Sequence, residues 1–181
     1  MLEMSNKTSE EVFSLLDNLL KWTKSQLGKL TVIPQKLDIS GLADGVVEVM
    51  NSVAEVKHIK LIRTDHESFF VYVDIEMIKS ILRNLISNAV KFSNPDSEIK
   101  VGIKAEDGKV IVSVTDSGKG IKKEDQHKLL KDSTHFTTYG TNSEEGSGLG
   151  LLLCRDFARK NGGELWFESE ENLGSVFSFS L

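Results

Sequence analysis

Asn84, Asn88 and Lys91 recur at helical spacing within RNLISNAVKFS, residues 83 to 93. At about 100° per residue they share one stripe with Ser80 and Ser87, while Ile78, Ile81, Leu82, Leu85, Ile86, Ala89 and Val90 fill the rest of the circumference. Asparagine forms helices poorly, and an exposed face is better served by Glu, Lys or Gln, so two asparagines four apart imply a demand other than helix stability. An amide oxygen joins the shell of Mg²⁺ without adding charge, and a lysine one turn away meets a phosphate as a point charge. A solvated face is the plainer account of the same stripe. A second group, Asp116-Ser117-Gly118-Lys119-Gly120, follows a β-rich run. It suits a tight turn. A buried carboxylate at a strand end also accepts the exocyclic amine of adenine, where guanine offers a carbonyl, and Gly118 and Gly120 would let backbone lie against a purine. The third group is EEGSGLGLLLC, residues 144 to 154, with Gly146, Gly148 and Gly150 at alternate positions before an apolar helix. The unpaired N–H groups and positive dipole end of such a helix favour phosphate.

Elements must hold these groups. Asp74 caps a predicted helix running to Phe92, with core on one face and the amide stripe on the other. Ahead of it, Lys36–Ile39 reads as a strand, Ser40–Val56 as a helix with Ser40 as N-cap, and Ile59–Arg63 and Phe69–Val73 as strands. Ile99–Ala105 and Val110–Thr115 flank Asp107-Gly108, a hairpin signal. Lys122–Ser147 is polar with little periodicity, and a long segment of that kind inside a compact domain is usually functional, often a lid. A helix from Gly148 to about Asn161 stops at Gly162-Gly163, and Glu164–Glu168 and Val176–Leu181 close the chain as strands. The mixed order predicts an α/β (α+β) two-layer sandwich, a mixed sheet covered on one face by helices. In front stands one more helix, about Ser9–Leu30, opened by the capping box Thr8-Ser9-Glu10-Glu11 and apolar over more than half its circumference. It calls for partner helices, such as a second copy. Pro34 ends it, so the boundary falls at Thr31–Gln35 and divides residues 1–33 from 34–181.

Composition narrows the functional classes. At 181 residues and 39% hydrophobic content the chain can bury one domain's core. A formal charge of -5, with no dense Lys/Arg block, speaks against a nucleic-acid partner. A single cysteine, Cys154, excludes an internal disulfide and a cysteine-rich zinc site; its leucine neighbours predict a packed, inert thiol and fit a reducing compartment. No apolar run approaches the roughly 20 residues that cross a bilayer.

Taken in this order, the motifs closely resemble the catalytic and ATP-binding domain of sensor histidine kinases, the Bergerat-fold branch of ATPases. RNLISNAVKFS is similar to the N box, DSGKGI (116 to 121) to the first glycine box, GSGLGLLLC (146 to 154) to the second, and GSVFSF (174 to 179) to the closing strand. The resemblance covers about Pro34 to Leu181, and the leading helix resembles the second helix of the dimerisation and phosphotransfer hairpin. It implies that Asn88 is a Mg²⁺ ligand, that Lys91 touches phosphate, and that Asn84 works near the metal and the transferring phosphoryl group. Phe92 would lie near adenine, Asp116 would select it, and Gly118 and Gly120 would border it. Gly146, Ser147, Gly148, Leu149 and Gly150 would shape the phosphate end and the lid hinge. ATP and Mg²⁺ are the implied ligands. The implied partners are the parent kinase's hairpin, a response-regulator receiver domain and a second copy. The implied place is the cytoplasm, with a parent free to carry a membrane anchor.

Departures accompany the likeness. The family's phosphoacceptor histidine, followed by an acidic residue and then a proline, has no counterpart. His66-Glu67 runs into Ser68-Phe69-Phe70-Val71 with strand character, and His58, His127 and His135 lack the acidic neighbour. The expectation is a piece of a longer kinase that holds the donor without the acceptor, and so has little intrinsic turnover. In HKLLKDSTHFTT (127 to 138), Leu130 stands where relatives often carry phenylalanine, and Phe136 alone is aromatic within that stretch; Lys131 and His135 are candidates to reach the γ-phosphate. Asn172 and Ser175 replace a glycine and a threonine common in the closing motif. The alternative from another class is a degenerate nucleotide-binding scaffold without kinase activity. A gyrase-like ATPase is disfavoured, because its catalytic glutamate would stand where this chain has Asn84.

Overall fold

The computed structural model describes residue 16 and residues 19–25, 27–130, 140–141 and 148–181. Helix α2 (Ile75–Phe92) lies at the centre, between α1 (Ile39–Glu55) and α4 (Gly150–Lys160). Beneath these helices a five-stranded sheet runs in the order β2 (Lys60–Arg63), β4 (Glu98–Glu106), β5 (Lys109–Asp116), β7 (Gly174–Ser180), β6 (Leu165–Glu170). Only β2 and β4 are parallel; the other neighbours are antiparallel. β1 (Gln35–Asp38) and β3 (Phe70–Val73) form a separate antiparallel pair, and one-turn α3 is Lys123–Gln126. The α/β two-layer sandwich with a mixed sheet is therefore observed.

Alternation builds the inner layer. Ile99, Val101 and Ile103 of β4 and Val112 and Val114 of β5 are buried, and Asp107 (φ 50°) and Gly108 (φ 76°) make the two-residue turn between the strands. Against this face α2 sets Ile78, Ile81, Leu82, Leu85 and Ile86, all at 1% exposure or less. Truncating one of these to Ala removes about 2–5 kcal/mol of stability. Asp74 caps α2 as predicted, its Oδ1 accepting from Glu76 N and Met77 N at 3.1 Å. Its Oδ2 accepts from Ile33 N at 2.9 Å and tethers the incoming chain. Asn161, at the end of α4, accepts from Asp74 N through Oδ1 at 2.7 Å, so α4 runs antiparallel to α2 and is tied to its start. Cys154 is buried as expected, and burial pushes its thiol far above the ordinary range, which removes the nucleophilic thiolate.

Four elements differ from the sequence expectation. Asp38, not Ser40, caps α1: its Oδ1 accepts from Ser40 N at 3.1 Å, while the Ser40 hydroxyl donates to Glu67 O instead. The leading helix does not reach Leu30. Gly28 (φ 65°) ends it in a Schellman motif, with Gly28 N donating to Ser25 O and Lys29 N to Lys24 O at 3.0 Å each, and Leu30 packs on the core beyond the turn. Residues 9–15, 17, 18 and 26 of that predicted helix lie outside the described residues. The last helix opens at Gly150 because Gly148 (φ 69°) is not helical. The polar segment contains α3, whose single turn leaves no periodic trace in sequence; Lys131, His135 and Phe136 lie outside the described residues.

Candidate functional site

Asp116 is the last residue of β5, two positions after the buried Val114, so the alternation that places valines in the core also turns this carboxylate toward the helices. It is 8% exposed, and Oδ1 accepts from Gly118 N at 2.9 Å. Burial pushes its carboxyl above the ordinary value of 3.8, while N–H groups of Gly118 and Ser175 pull the other way.

The turn after Asp116 is wedged between two backbones. A Cβ on Gly118 would fall 2.2 Å from Phe92 O, and one on Gly120 (φ 59°) would fall 1.9 Å from Glu170 O. Lys119 N donates to Phe92 O at 3.1 Å, and Asn172 N donates to Lys119 O at 2.8 Å. Both glycines thus have a packing reason that spacing does not reveal, and the turn brings Asp116 beside the end of α2. There the half-buried Phe92 ring receives two cations, Lys91 Nζ at 5.0 Å and Lys119 Nζ at 4.8 Å from its centroid. Lys119 at this ring is an addition to the sequence-derived residues; its place inside the glycine turn was the available signal.

Along α2 the polar stripe keeps the predicted face, with Ser80, Asn84, Asn88 and Lys91 half-buried and Ser87 exposed. Asn84 Nδ2 donates to Ser80 O at 3.0 Å, and its Oδ1 is 2.8 Å from where a Cβ on Gly150 would stand. The missing side chain at Gly150 lets the start of α4 meet this amide. That helix start has no side-chain cap and no acidic residue in its first turn, which leaves a positive end of the backbone dipole facing the polar stripe. Leu149 is buried beneath it, and Gly148 supplies the positive φ of the approach. Gly146 and Ser147 lie outside the described residues. The structure therefore gathers Asn84, Asn88, Lys91, Phe92, Asp116, Gly118, Gly120, Leu149 and Gly150 around α2. A carboxylate and an aromatic ring stand at the carboxyl end of the helix, with amides and a helix start nearer its middle.

A further contributor left no signal in the sequence. Lys57, 7% exposed, extends Nζ from the turn after α1 to Val90 O and Lys91 O at 3.1 Å and to Thr141 Oγ1 at 2.9 Å. No local pattern marks a lysine whose acceptors lie 33, 34 and 84 residues away. Among the described residues no cluster of three or more His, Cys, Asp or Glu is arranged to hold a metal ion, and no helix is long and apolar enough to cross a membrane.

Known proteins are similar to this chain in sequence and fold. A family model described as histidine kinase-, DNA gyrase B-, and HSP90-like ATPase matches residues 73–181. The adaptive-response sensory kinase SasA of Crocosphaera subtropica is 35% identical over 169 residues, which is 92% of this chain and 44% of that protein. The chain spans less than half the length of the curated relatives it matches. The catalytic domain of histidine kinase ThkA, solved nucleotide-free, is 30% identical with a TM-score of 0.70, over 82% of this chain and 95% of that one. Full-length ShkA, solved with AMPPNP, has the same fold, with a TM-score of 0.78 at 23% identity over 96% of this chain and 36% of that one.

Proposed function

The chain belongs to the histidine kinase-, DNA gyrase B-, and HSP90-like ATPases, and from that premise we propose that it is the ATP-binding, phosphoryl-donating domain of a two-component sensor histidine kinase. What carries the proposal is the buried carboxylate of Asp116 at the helix-facing end of β5, with one oxygen held by Gly118 N and the Phe92 ring at the neighbouring helix end. Asp116 accepts the adenine amine, Phe92 borders the base with Gly118 and Gly120, and Lys91 takes phosphate charge. The phosphates are assigned to the start of α4 at Gly150 together with the preceding sequence positions Gly146, Ser147, Gly148 and Leu149. Asn88 would hold Mg²⁺ by its neutral amide oxygen, and Asn84, set against Gly150, would orient this end. The residue chemistry fits a hard cation: Asn88, half-buried on the polar face of α2, would offer a neutral amide oxygen and add no charge of its own. Bound Mg²⁺ supplies charge neutralisation at the phosphates.

Phosphoryl transfer needs alignment more than covalent help. In the whole kinase an imidazole nitrogen of the hairpin attacks the γ-phosphorus in line, the bond to ADP breaks, and the imidazole proton passes to the acidic residue beside that histidine. The phosphoryl group then moves to an aspartate of a response-regulator receiver domain. Residues 34–181 form the donor unit, and residues 1–33 belong to the hairpin through which the parent dimerises. Calorimetric titration with ATP and GTP, each with and without Mg²⁺, tests this. ATP alone should bind, more tightly with Mg²⁺, and Asp116→Asn should lose at least about tenfold in affinity, the scale of one charge-assisted hydrogen bond. Equal binding of ATP and GTP would reject the adenine assignment and favour a degenerate scaffold.

A further inference from the structure

The carboxyl end of α2 carries the residues assigned to the nucleotide, and it is held by a device outside all the motifs. A helix ends with carbonyls that lack intrahelical partners. Two of them, Val90 O and Lys91 O, each accept from Lys57 Nζ at 3.1 Å. The same ammonium donates to Thr141 Oγ1 at 2.9 Å. Thr141 then returns to the helix end: its N donates to Lys91 O at 3.1 Å, and its hydroxyl lies 2.8 Å from Ser93 O. An ammonium has three donors, and all three have an oxygen here. The cation also faces the negative end of the α2 dipole. Burying a lysine to 7% exposure carries a desolvation cost that a solvated helix end would avoid, so helix termination alone does not account for it.

We propose that Lys57 and Thr141 form a clamp that positions Lys91 and Phe92 for nucleotide, and that Lys57 is a positioning residue for Mg²⁺-ATP binding. The clamp rests on the kinase-domain assignment above and adds to it two residues from outside the three boxes. It joins three separate stretches of chain: the turn after α1, the end of α2, and the connection from α3 to α4. Fixing them together before ligand arrives lowers the ordering cost of binding, which is how a residue without ligand contact raises affinity.

The test is a cycle of Lys57→Met and Thr141→Val, with Thr141→Ser as the conservative variant and Asp116→Asn as the control for the site itself. Affinity for Mg²⁺-ATP and for ADP is measured calorimetrically at a temperature where circular dichroism shows each protein folded. Each single change should weaken binding by about tenfold, and the pair by about the same factor, because either change opens the same clamp. Thr141→Ser keeps the hydroxyl and should bind within about twofold of the parent, a rescue that a purely steric role would not give. Folded variants that bind like the parent, while Asp116→Asn does not, would overturn the clamp and leave the kinase-domain assignment standing. Losses that multiply to about a hundredfold would also overturn it, since the two residues would then act independently. A parent chain that binds neither nucleotide would overturn both proposals. If Lys57→Met fails to fold, the contrast between Thr141→Val and Thr141→Ser decides alone.

Discussion

Asp116, the proposed acceptor of the adenine amine, carries a cost to the fold. Its carboxyl has a raised pKa, with burial the largest cause, so the folded state holds the proton more tightly than the unfolded chain does. Stability therefore falls as pH rises through that raised value, and the penalty is absent only below the ordinary value of 3.8. Asp116→Asn removes the buried charge and keeps an oxygen for Gly118 N. The expected result is a higher Tm than the parent at pH 7, with the difference shrinking as pH drops through the raised pKa. Thermal melts across that range check it; a lower Tm at pH 7 would show that the N–H groups outweigh burial. The same substitution should weaken ATP binding, so its effects on stability and on affinity have opposite signs. At this scale the sequence was informative where a side chain acts near its own place in the chain. Asp116 after a β-run and Asn84 and Asn88 on a helix stripe are legible, because alternation and helical periodicity fix which way they face. Lys57 and Thr141 are not, because their partners are set by how separate elements dock.

Elements were legible in proportion to their regularity. Helix α2, with Asp74 at its start and a continuous apolar face, ends at Phe92 as predicted. The start of α1 was misassigned because Asp38 and Ser40 are both good caps two residues apart, and only the tertiary bond from Ser40 to Glu67 O removes one of them from the competition. The glycines make the sharpest predictions at this scale. Gly118→Ala and Gly120→Ala drive a methyl into the backbone of Phe92 and of Glu170, and Gly120 adds a left-handed φ, so each should cost about 3 kcal/mol or more. Gly150→Ala is different in kind. Among the described residues its Cβ meets the Asn84 amide, at 2.8 Å, a side-chain end that can turn away, and alanine is favoured over glycine inside a helix by about 1 kcal/mol. Denaturant melts should therefore show little loss for Gly150→Ala, while calorimetry shows weaker Mg²⁺-ATP binding. Equal damage to stability and binding would remove the distinction.

The described part of the leading helix shows its apolar side to solvent, with Leu16, Leu19, Leu20 and Leu27 each more than 40% exposed. Its other side is engaged, since Trp22 packs on the core and the Ser25 hydroxyl donates to Asp156 of α4. Sedimentation should show a reversible rise in mass with concentration, and Leu20→Glu should suppress it; a strict monomer at high concentration would reject that association. On the proposed function, a histidine-bearing phosphotransfer hairpin of this family supplied in trans should take label from γ-phosphate on its histidine, and the Asp116→Asn chain should not label it. The strand order carries one more consequence. β7 is last in sequence but lies between β5 and β6, and Asp116 pairs with Ser175, fifty-nine residues later. A Cβ on Gly174 would stand 2.1 Å from Asp116 O, so the two strands meet there without a gap. During synthesis, then, a ribosome that has released everything through β6 has not yet released the strand that completes the proposed adenine site. The strand that backs Asp116 is the last of the sheet to emerge.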